Sequence, residues 1–352
     1  MYSFYPGPSA VNPRLPEFFN EAFEKSLMSV NHRSPEFVEI SRKTTALMRE
    51  KLDMPEDYRL FFVSSATECW EIVAQSLTLS ESFHVYNGAF GQKWTRNASK
   101  LGRRVLKHYF DVDDLPNPEN IHIPETSEVL CLTHNETSTG TELPDSVMRG
   151  FRKNFDGLIA VDATSSMAGL QLDWKQADVW FASVQKCFGL PAGMAVMICS
   201  PQAIRRAYDI GESSHYNSFT FMADMGREFQ TTHTPNVIGI YMLMRTLEES
   251  KHISEIEKLT LSRFVEWEKL IAGNNTFSWL IQNPEARSRT VIPLQADPKI
   301  VLKIKDEAKK AGFLLGNGYG DWKESTFRIA NFPNVPQEGV NGLMNFFKEN
   351  FS

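Results

Sequence analysis

The chain has 352 residues, 42% of them apolar and 23% charged, with a formal net charge of −6. That length supports a large core and two domains, or one large domain with a smaller partner. The dispersed basic residues give no nucleic-acid surface, no apolar run reaches the ~18 residues of a membrane span, and the start, Met1-Tyr2-Ser3-Phe4-Tyr5-Pro6-Gly7-Pro8, lacks the basic and apolar regions of a signal peptide.

In chain order, residues 1–15 are rich in Pro and Gly and read as an extended arm. Helical patterns cover 16–27 and 35–51. Strands and helices then alternate, with strands predicted at 60–63, 83–86, 105–109, 129–133, 158–162, 179–182 and 194–199. Most are near-continuous apolar runs, as in parallel strands covered on both faces. The expected class is therefore α/β, a mostly parallel sheet with helices on both faces. Ligands of such sheets sit beyond the carboxyl ends of the strands, where Thr133, Asp162 and Lys186 fall. A long helical pattern runs over 237–272. After it a strand (290–294), a helix (299–311) and a strand (326–329) predict a small α+β domain completed by the arm. The expected division is 16–250 and 251–352 with 1–15.

The groups able to do chemistry cluster at these strand ends. Leu158-Ile159-Ala160-Val161 delivers Asp162, and Val179-Trp180-Phe181-Ala182 leads to Lys186. A Lys that can form an imine with an aldehyde, and an Asp that can keep a pyridine nitrogen protonated, are what pyridoxal phosphate chemistry requires. Ser64-Ser65-Ala66-Thr67 opens a helix, and its free N–H groups fit either an ordinary cap or a phosphate site. Beside Lys186 and Asp162 the phosphate is preferred. Phe90 is a ring that stacks on a cofactor or a core aromatic. Thr137 reaches a cofactor oxygen or shapes a turn. His32-Arg33 is an anion site or a solvated pair. Arg328, inside an apolar strand, needs a partner; a structural salt bridge is the first reading and a substrate carboxylate the second. Gly316-Asn317-Gly318-Tyr319-Gly320 has the wrong spacing for a dinucleotide loop and reads as a tight turn. Cys69, Cys131, Cys187 and Cys199 lack metal-ligand or CxxC spacing, so buried free thiols, no metal and a reduced cytoplasmic compartment are expected.

Assembled, these residues resemble the class V, fold-type I pyridoxal phosphate-dependent aminotransferases, and among them the phosphoserine transaminases. The resemblance runs through Pro6-Gly7-Pro8, His32-Arg33, Ser65-Ala66-Thr67, Asn135-Glu136-Thr137, Asp162-Ala163-Thr164-Ser165-Ser166, Gln185-Lys186, Thr234-Pro235, Arg328 and the tail from Asn331 to Val340. It implies an exchange between O-phosphoserine and 2-oxoglutarate, in serine biosynthesis. Lys186 would bond pyridoxal 5′-phosphate and shuttle the proton. Asp162 would pair with the ring nitrogen, and Phe90 would stack where the family usually has Trp. Ala66, Thr67 and Gln185 would hold the phosphate, with Thr234 reaching it from the second chain of a homodimer with shared sites. Arg328 would bind the substrate α-carboxylate, and His32 and Arg33 of the neighbour its distal anion.

The chain departs from that pattern in two places. A second His-Arg pair usual before the carboxylate Arg is missing: between Gly312 and Arg328 the basic residue is Lys323. Ser64-Ser65-Ala66 replaces a glycine-rich turn. Glu136-Thr137-Ser138-Thr139-Gly140 and His32-Arg33-Ser34-Pro35-Glu36-Phe37 also resemble the serine– and alanine–glyoxylate transaminases of the same class, which are the alternative together with a catalytically silent cofactor-binding protein. No Cys follows Cys199, which argues against the cysteine desulfurases of this class.

Overall fold

The computed structural model describes residues 1–351. Its strands are β1 (Tyr2–Phe4), β2 (Arg59–Val63), β3 (Glu81–Tyr86), β4 (Arg104–Tyr109), β5 (Val129–Thr133), the short pair β6 (Asn135–Glu136) and β7 (Thr141–Glu142), β8 (Leu158–Asp162), β9 (Val179–Ser183), β10 (Ala195–Cys199), β11 (Ser278–Trp279), β12 (Val291–Gln295), β13 (Phe313–Asn317) and β14 (Thr326–Ala330). Seven of them form one sheet in the order β2-β10-β9-β8-β5-β3-β4. Every residue of β8, β9 and β10 is buried, which is why these segments are apolar up to the Asp162 and Ser183 that end β8 and β9. β4, at one edge, has only exposed and half-buried positions.

The sheet is mostly parallel, as expected, with one strand reversed. β10 runs antiparallel to both β9 and β2. The link from β9 to β10 contains no helix, and a parallel crossover needs about a dozen residues or more, usually helical. Instead it folds into a compact loop: Val184 N–H donates to the Met194 carbonyl (3.2 Å), Leu190 N–H to Val184 (3.1 Å) and Gly189 N–H to Lys186 (2.9 Å). Lys186 is therefore held between two paired strands.

The helical pattern over 237–272 is two helices, Val237–Glu249 and Ile253–Ala272. Ser250 turns extended and its hydroxyl donates to the Leu247 carbonyl (2.8 Å). The His252 imidazole accepts from Ser254 N–H at the start of the second helix (3.3 Å). Such side-chain bonds compete with the helix ladder without disturbing the apolar period.

The second sheet has the order β1-β13-β14-β12-β11. Its core holds Phe4, Trp267, Phe327 and Phe347, all fully buried. β1 pairs parallel with β13, so the N-terminal arm is an integral edge strand. The Gly316–Gly320 segment is not a simple tight turn: Gly316 and Asn317 finish β13, and a 3₁₀ turn follows at Gly320–Trp322. The arm then crosses the first sheet's Lys186 loop, with Ser9 N–H donating to the Gln185 carbonyl (3.0 Å) and Asn12 N–H to Gly189 (2.8 Å). No helix among the described residues is long and apolar enough to cross a membrane.

Arm and second sheet meet at Gly316, where a Cβ would lie 2.5 Å from Pro6 Cδ and 2.9 Å from the Arg328 carbonyl. Gly316→Ala is expected to destabilise the chain by about 1–3 kcal/mol through overpacking and to release the arm. Faster limited proteolysis within residues 1–14, at unchanged far-UV circular dichroism, is the expected readout.

Candidate active site

The carboxyl ends of β5, β8 and β9, the start of the Ala66–Ile72 helix, the arm and β14 enclose a cavity of about 260 Å³. Its walls include Ala66, Thr67, Phe90, Thr137, Asp162, Gln185, Lys186 and Arg328. Eight side chains chosen from separate stretches of sequence are thus brought together. Thr234, His32 and Arg33 are not among the cavity's walls. Arg33 instead donates to Gln230 (2.6 Å) of its own chain, and His32 lies close enough to Arg33 and His233 for their charges to oppose its protonation, after burial as the main cause.

Lys186 is 6% exposed. Its Nζ donates to Thr137 Oγ1 (2.5 Å) and Ser165 Oγ (3.0 Å), and those hydroxyls are 2.6 Å apart. Burial pulls the amine down to about 8, against the raising influence of Asp162. A buried amine with only neutral partners is readily deprotonated and so nucleophilic near neutrality. Thr137 and Ser165 aim it, and Gly7 crowds it from the arm: a Cβ there would sit 3.1 Å from Lys186 Cε.

Asp162 ends β8 with its carboxylate 5% exposed. Burial raises its pKa, opposed by the Thr164 hydrogen bonds, Lys186 and Trp70. Oδ1 accepts from Thr164 N–H (3.0 Å) and Oδ2 from the Trp70 indole (3.2 Å). Trp70 lies on the Ala66–Ile72 helix. Nothing in the sequence ties it to Asp162.

Arg328 settles its own ambiguity. No Asp or Glu pairs with it among the described residues, contrary to the salt-bridge reading. Its Nε donates to the Asn317 carbonyl (2.6 Å) and Nη1 to the Thr137 carbonyl (2.7 Å). Nη2 has no hydrogen-bond partner among the described residues. Burial lowers its pKa to about 10, with Tyr319 and Glu136 opposing.

Phe90 is half-buried, with Lys186 Nζ 5.4 Å from its ring centroid. Buried Glu136 fixes its helix, accepting from Phe90 N–H and Gly91 N–H (both 3.1 Å) and from Ser138. At the Ser64–Thr67 turn both readings meet. Ser65 caps the helix, accepting from Glu68 N–H (3.1 Å), while Ala66 and Thr67 face the cavity. Ala66 N–H donates to Ser183 Oγ (3.0 Å). The four cysteines are free and buried.

These groups fit pyridoxal phosphate. Half-buried Gln185 has a buried amide oxygen with no partner among the described residues. Among the described residues Asp162 and Lys186 meet no ion-pairing side chain, and the turn opens the Ala66–Ile72 helix, whose N-terminal end favours an anion. A ring nitrogen, an aldehyde and a phosphate complement these three places.

The sequence comparison decides the family. Residues 2–304 match the model of the class-V aminotransferases. The chain belongs to this family. A phosphoserine aminotransferase of Rhodococcus opacus is 26% identical over 96% of this chain and 91% of its own length. A solved phosphoserine aminotransferase of Cytophaga hutchinsonii superposes with a TM-score of 0.95 at 32% identity, over 99% of this chain and 98% of that one. An alanine–glyoxylate aminotransferase of Nostoc shares the fold, with a TM-score of 0.79 at 18% identity over 99% and 94%. The two-sheet architecture is that of fold-type I aminotransferases.

The Lys186 amine gives a pH signature. Its folded pKa, about 8, lies below the ordinary 10.5. Between those values the unfolded chain binds the extra proton, so this residue's contribution to stability rises with pH across that window and is least favourable below it. In cofactor-free protein, the stability of wild type minus that of Lys186→Met should climb from pH 8 to 10.5, by on the order of a few kcal/mol. Urea unfolding at several pH values measures it; a flat difference contradicts the buried cation.

Proposed function

We propose that this class-V aminotransferase uses pyridoxal 5′-phosphate to exchange an amino group between O-phosphoserine and 2-oxoglutarate, in the cytoplasmic synthesis of serine. When bound, the cofactor supplies an aldehyde that bonds amines and a ring that accepts electrons from the substrate α-carbon. Asp162 would face the ring nitrogen and keep it protonated, Phe90 would pack against the ring, and Ala66, Thr67 and Gln185 would surround the phosphate. The amine of Lys186 would bond the aldehyde and, when free, would take the proton from the substrate α-carbon. Thr137 and Ser165 keep its amine beside that carbon.

The observation that carries an amino-acid substrate is Arg328. A guanidinium with an uncommitted Nη2, in the same cavity as Lys186, suits a carboxylate on the reacting carbon. The choice of phosphoserine rests on the near full-length likeness to the Rhodococcus and Cytophaga enzymes. Steady-state kinetics with phosphoserine, serine and alanine against 2-oxoglutarate and glyoxylate test it. Phosphoserine with 2-oxoglutarate should give the highest kcat/KM. Equal efficiency for serine or alanine with glyoxylate would replace this reading by the glyoxylate one.

Arg328→Ala should lower kcat/KM for every amino-acid donor, by roughly ten- to a hundredfold for one lost charge-assisted contact. Asp162→Asn should keep the fold and lose most turnover, since a neutral amide no longer holds the ring proton.

His32, Arg33 and Thr234 lie outside their own chain's cavity, so a role for them requires a second copy, and a homodimer with shared sites is the assembly proposed. Mixing inactive Lys186→Ala with an inactive Arg33→Ala/Thr234→Ala double variant should then restore part of the activity through hybrid dimers. No recovery, with subunit exchange shown independently, contradicts the composite site.

A further inference from the structure

A donor such as phosphoserine has two anionic ends, and the cavity's own cations account for one. Apart from Lys186, whose amine is engaged in the reaction, Arg328 is the one basic residue in its walls. Lys323 is not in them; its backbone carbonyl packs against Gly318. A second cation stands at the rim. Lys93 follows Phe90 by one helical turn, on the same face of the Ala89–Lys100 helix. Its Nζ donates to the Tyr319 hydroxyl (2.6 Å) and lies 5.1 Å and 5.2 Å from the Phe90 and Tyr319 ring centroids. Those rings are 5.6 Å apart. Tyr319 lines the cavity, and its ring also carries the Arg328 guanidinium at 5.5 Å. One tyrosine thus spans two cations, one inside and one at the edge.

Lys93 is exposed and forms no ion pair among the described residues. An ammonium has three donors and the Tyr319 hydroxyl uses one. Because that hydroxyl accepts from Lys93, its own proton is free to donate elsewhere, and the neighbouring charge polarises it. Two donors of this kind, next to a guanidinium that takes a carboxylate, match a ligand bearing a second anion a few bonds away.

We infer that Lys93 and the Tyr319 hydroxyl form a specificity-determining contact for the distal anion, a phosphate ester or side-chain carboxylate, of the amino acid whose α-carboxylate sits on Arg328. The inference rests on the proposed aminotransferase reading and adds the near-side contact to it. A cation–aromatic clip that only steadied Tyr319 would affect all donors alike, whereas an anion contact separates donors that carry the second charge from those that do not.

The test uses holoenzyme and single-turnover half-reactions, so that poor donors still give a rate. Wild type, Lys93→Met, Lys93→Arg and Tyr319→Phe are each measured with phosphoserine, glutamate and alanine. Lys93→Met should lower the efficiency with phosphoserine and glutamate roughly tenfold relative to alanine, the scale of one charge-assisted hydrogen bond, through weaker binding rather than a slower step. Lys93→Arg should retain most of the selectivity, and Tyr319→Phe should lose part of it. Equal losses for all three donors, or none for any, overturn the inference. If wild type rejects phosphoserine but Lys93→Met still loses glutamate selectively, the inference stands and the phosphoserine assignment falls.

Discussion

The site depends on three ionisable groups that the fold buries without an ion-pairing partner. Lys186, Asp162 and Arg328 are each 5–8% exposed. Their hydrogen bonds come from hydroxyls, an indole, backbone carbonyls and a backbone N–H. Burying a charge is costly unless it is paired and hydrogen-bonded, so these groups move towards their neutral forms, Lys186 most consequentially. The same low-dielectric setting makes a ligand charge of the right sign worth far more than it would be in water. An anionic substrate on Arg328 and a protonated ring on Asp162 supply what the protein withholds. The cavity is therefore poised for a charged cofactor and a charged substrate, and each group's perturbation follows from having been left unmatched.

The scaffold keeps this arrangement by holding each group from two sides. The antiparallel turn between β9 and β10 grips the Lys186 backbone, and the arm covers it from above through Ser9 and Gly7. Asp162 is fixed by its own strand and by Trp70 of the Ala66–Ile72 helix, which follows β2. Arg328 projects from the second sheet and ties to Thr137, in the β6–β7 turn that follows β5 of the first. The cavity is thus built where two sheets meet, so the site and the relation between the sheets are maintained together. Glu136 adds a third support, since its carboxylate seats the helix that presents Phe90 and, one turn on, Lys93.

Much of this was legible in the sequence because buried strands write themselves as apolar runs and deliver polar residues at their ends. Asp162 and the Lys186 loop were found that way, and the runs at 129–133 and 158–162 are the strands themselves. An apolar run records burial on both faces but carries no direction, so the reversal of β10 was hidden. Periodicity also records a face and not an axis, so the break at Ser250–His252 passed unseen. For Arg328 the local sequence left a salt bridge and a substrate carboxylate both open, because a lone Arg in a strand signals only that a partner is required. Which partner depends on contacts between residues far apart in sequence. The same holds for Trp70 at Asp162 and for Lys93 at Tyr319: only the fold sets each beside the site.

Borohydride reduction of the holoprotein followed by peptide mapping tests the central claim, that the buried, partly neutral amine of Lys186 is the attachment point at this cavity. The account predicts that the cofactor is fixed to a single peptide containing Lys186, with no label at Lys93, Lys323 or any other lysine. Label at a different lysine, or no covalent attachment in protein that demonstrably binds pyridoxal phosphate, would contradict it.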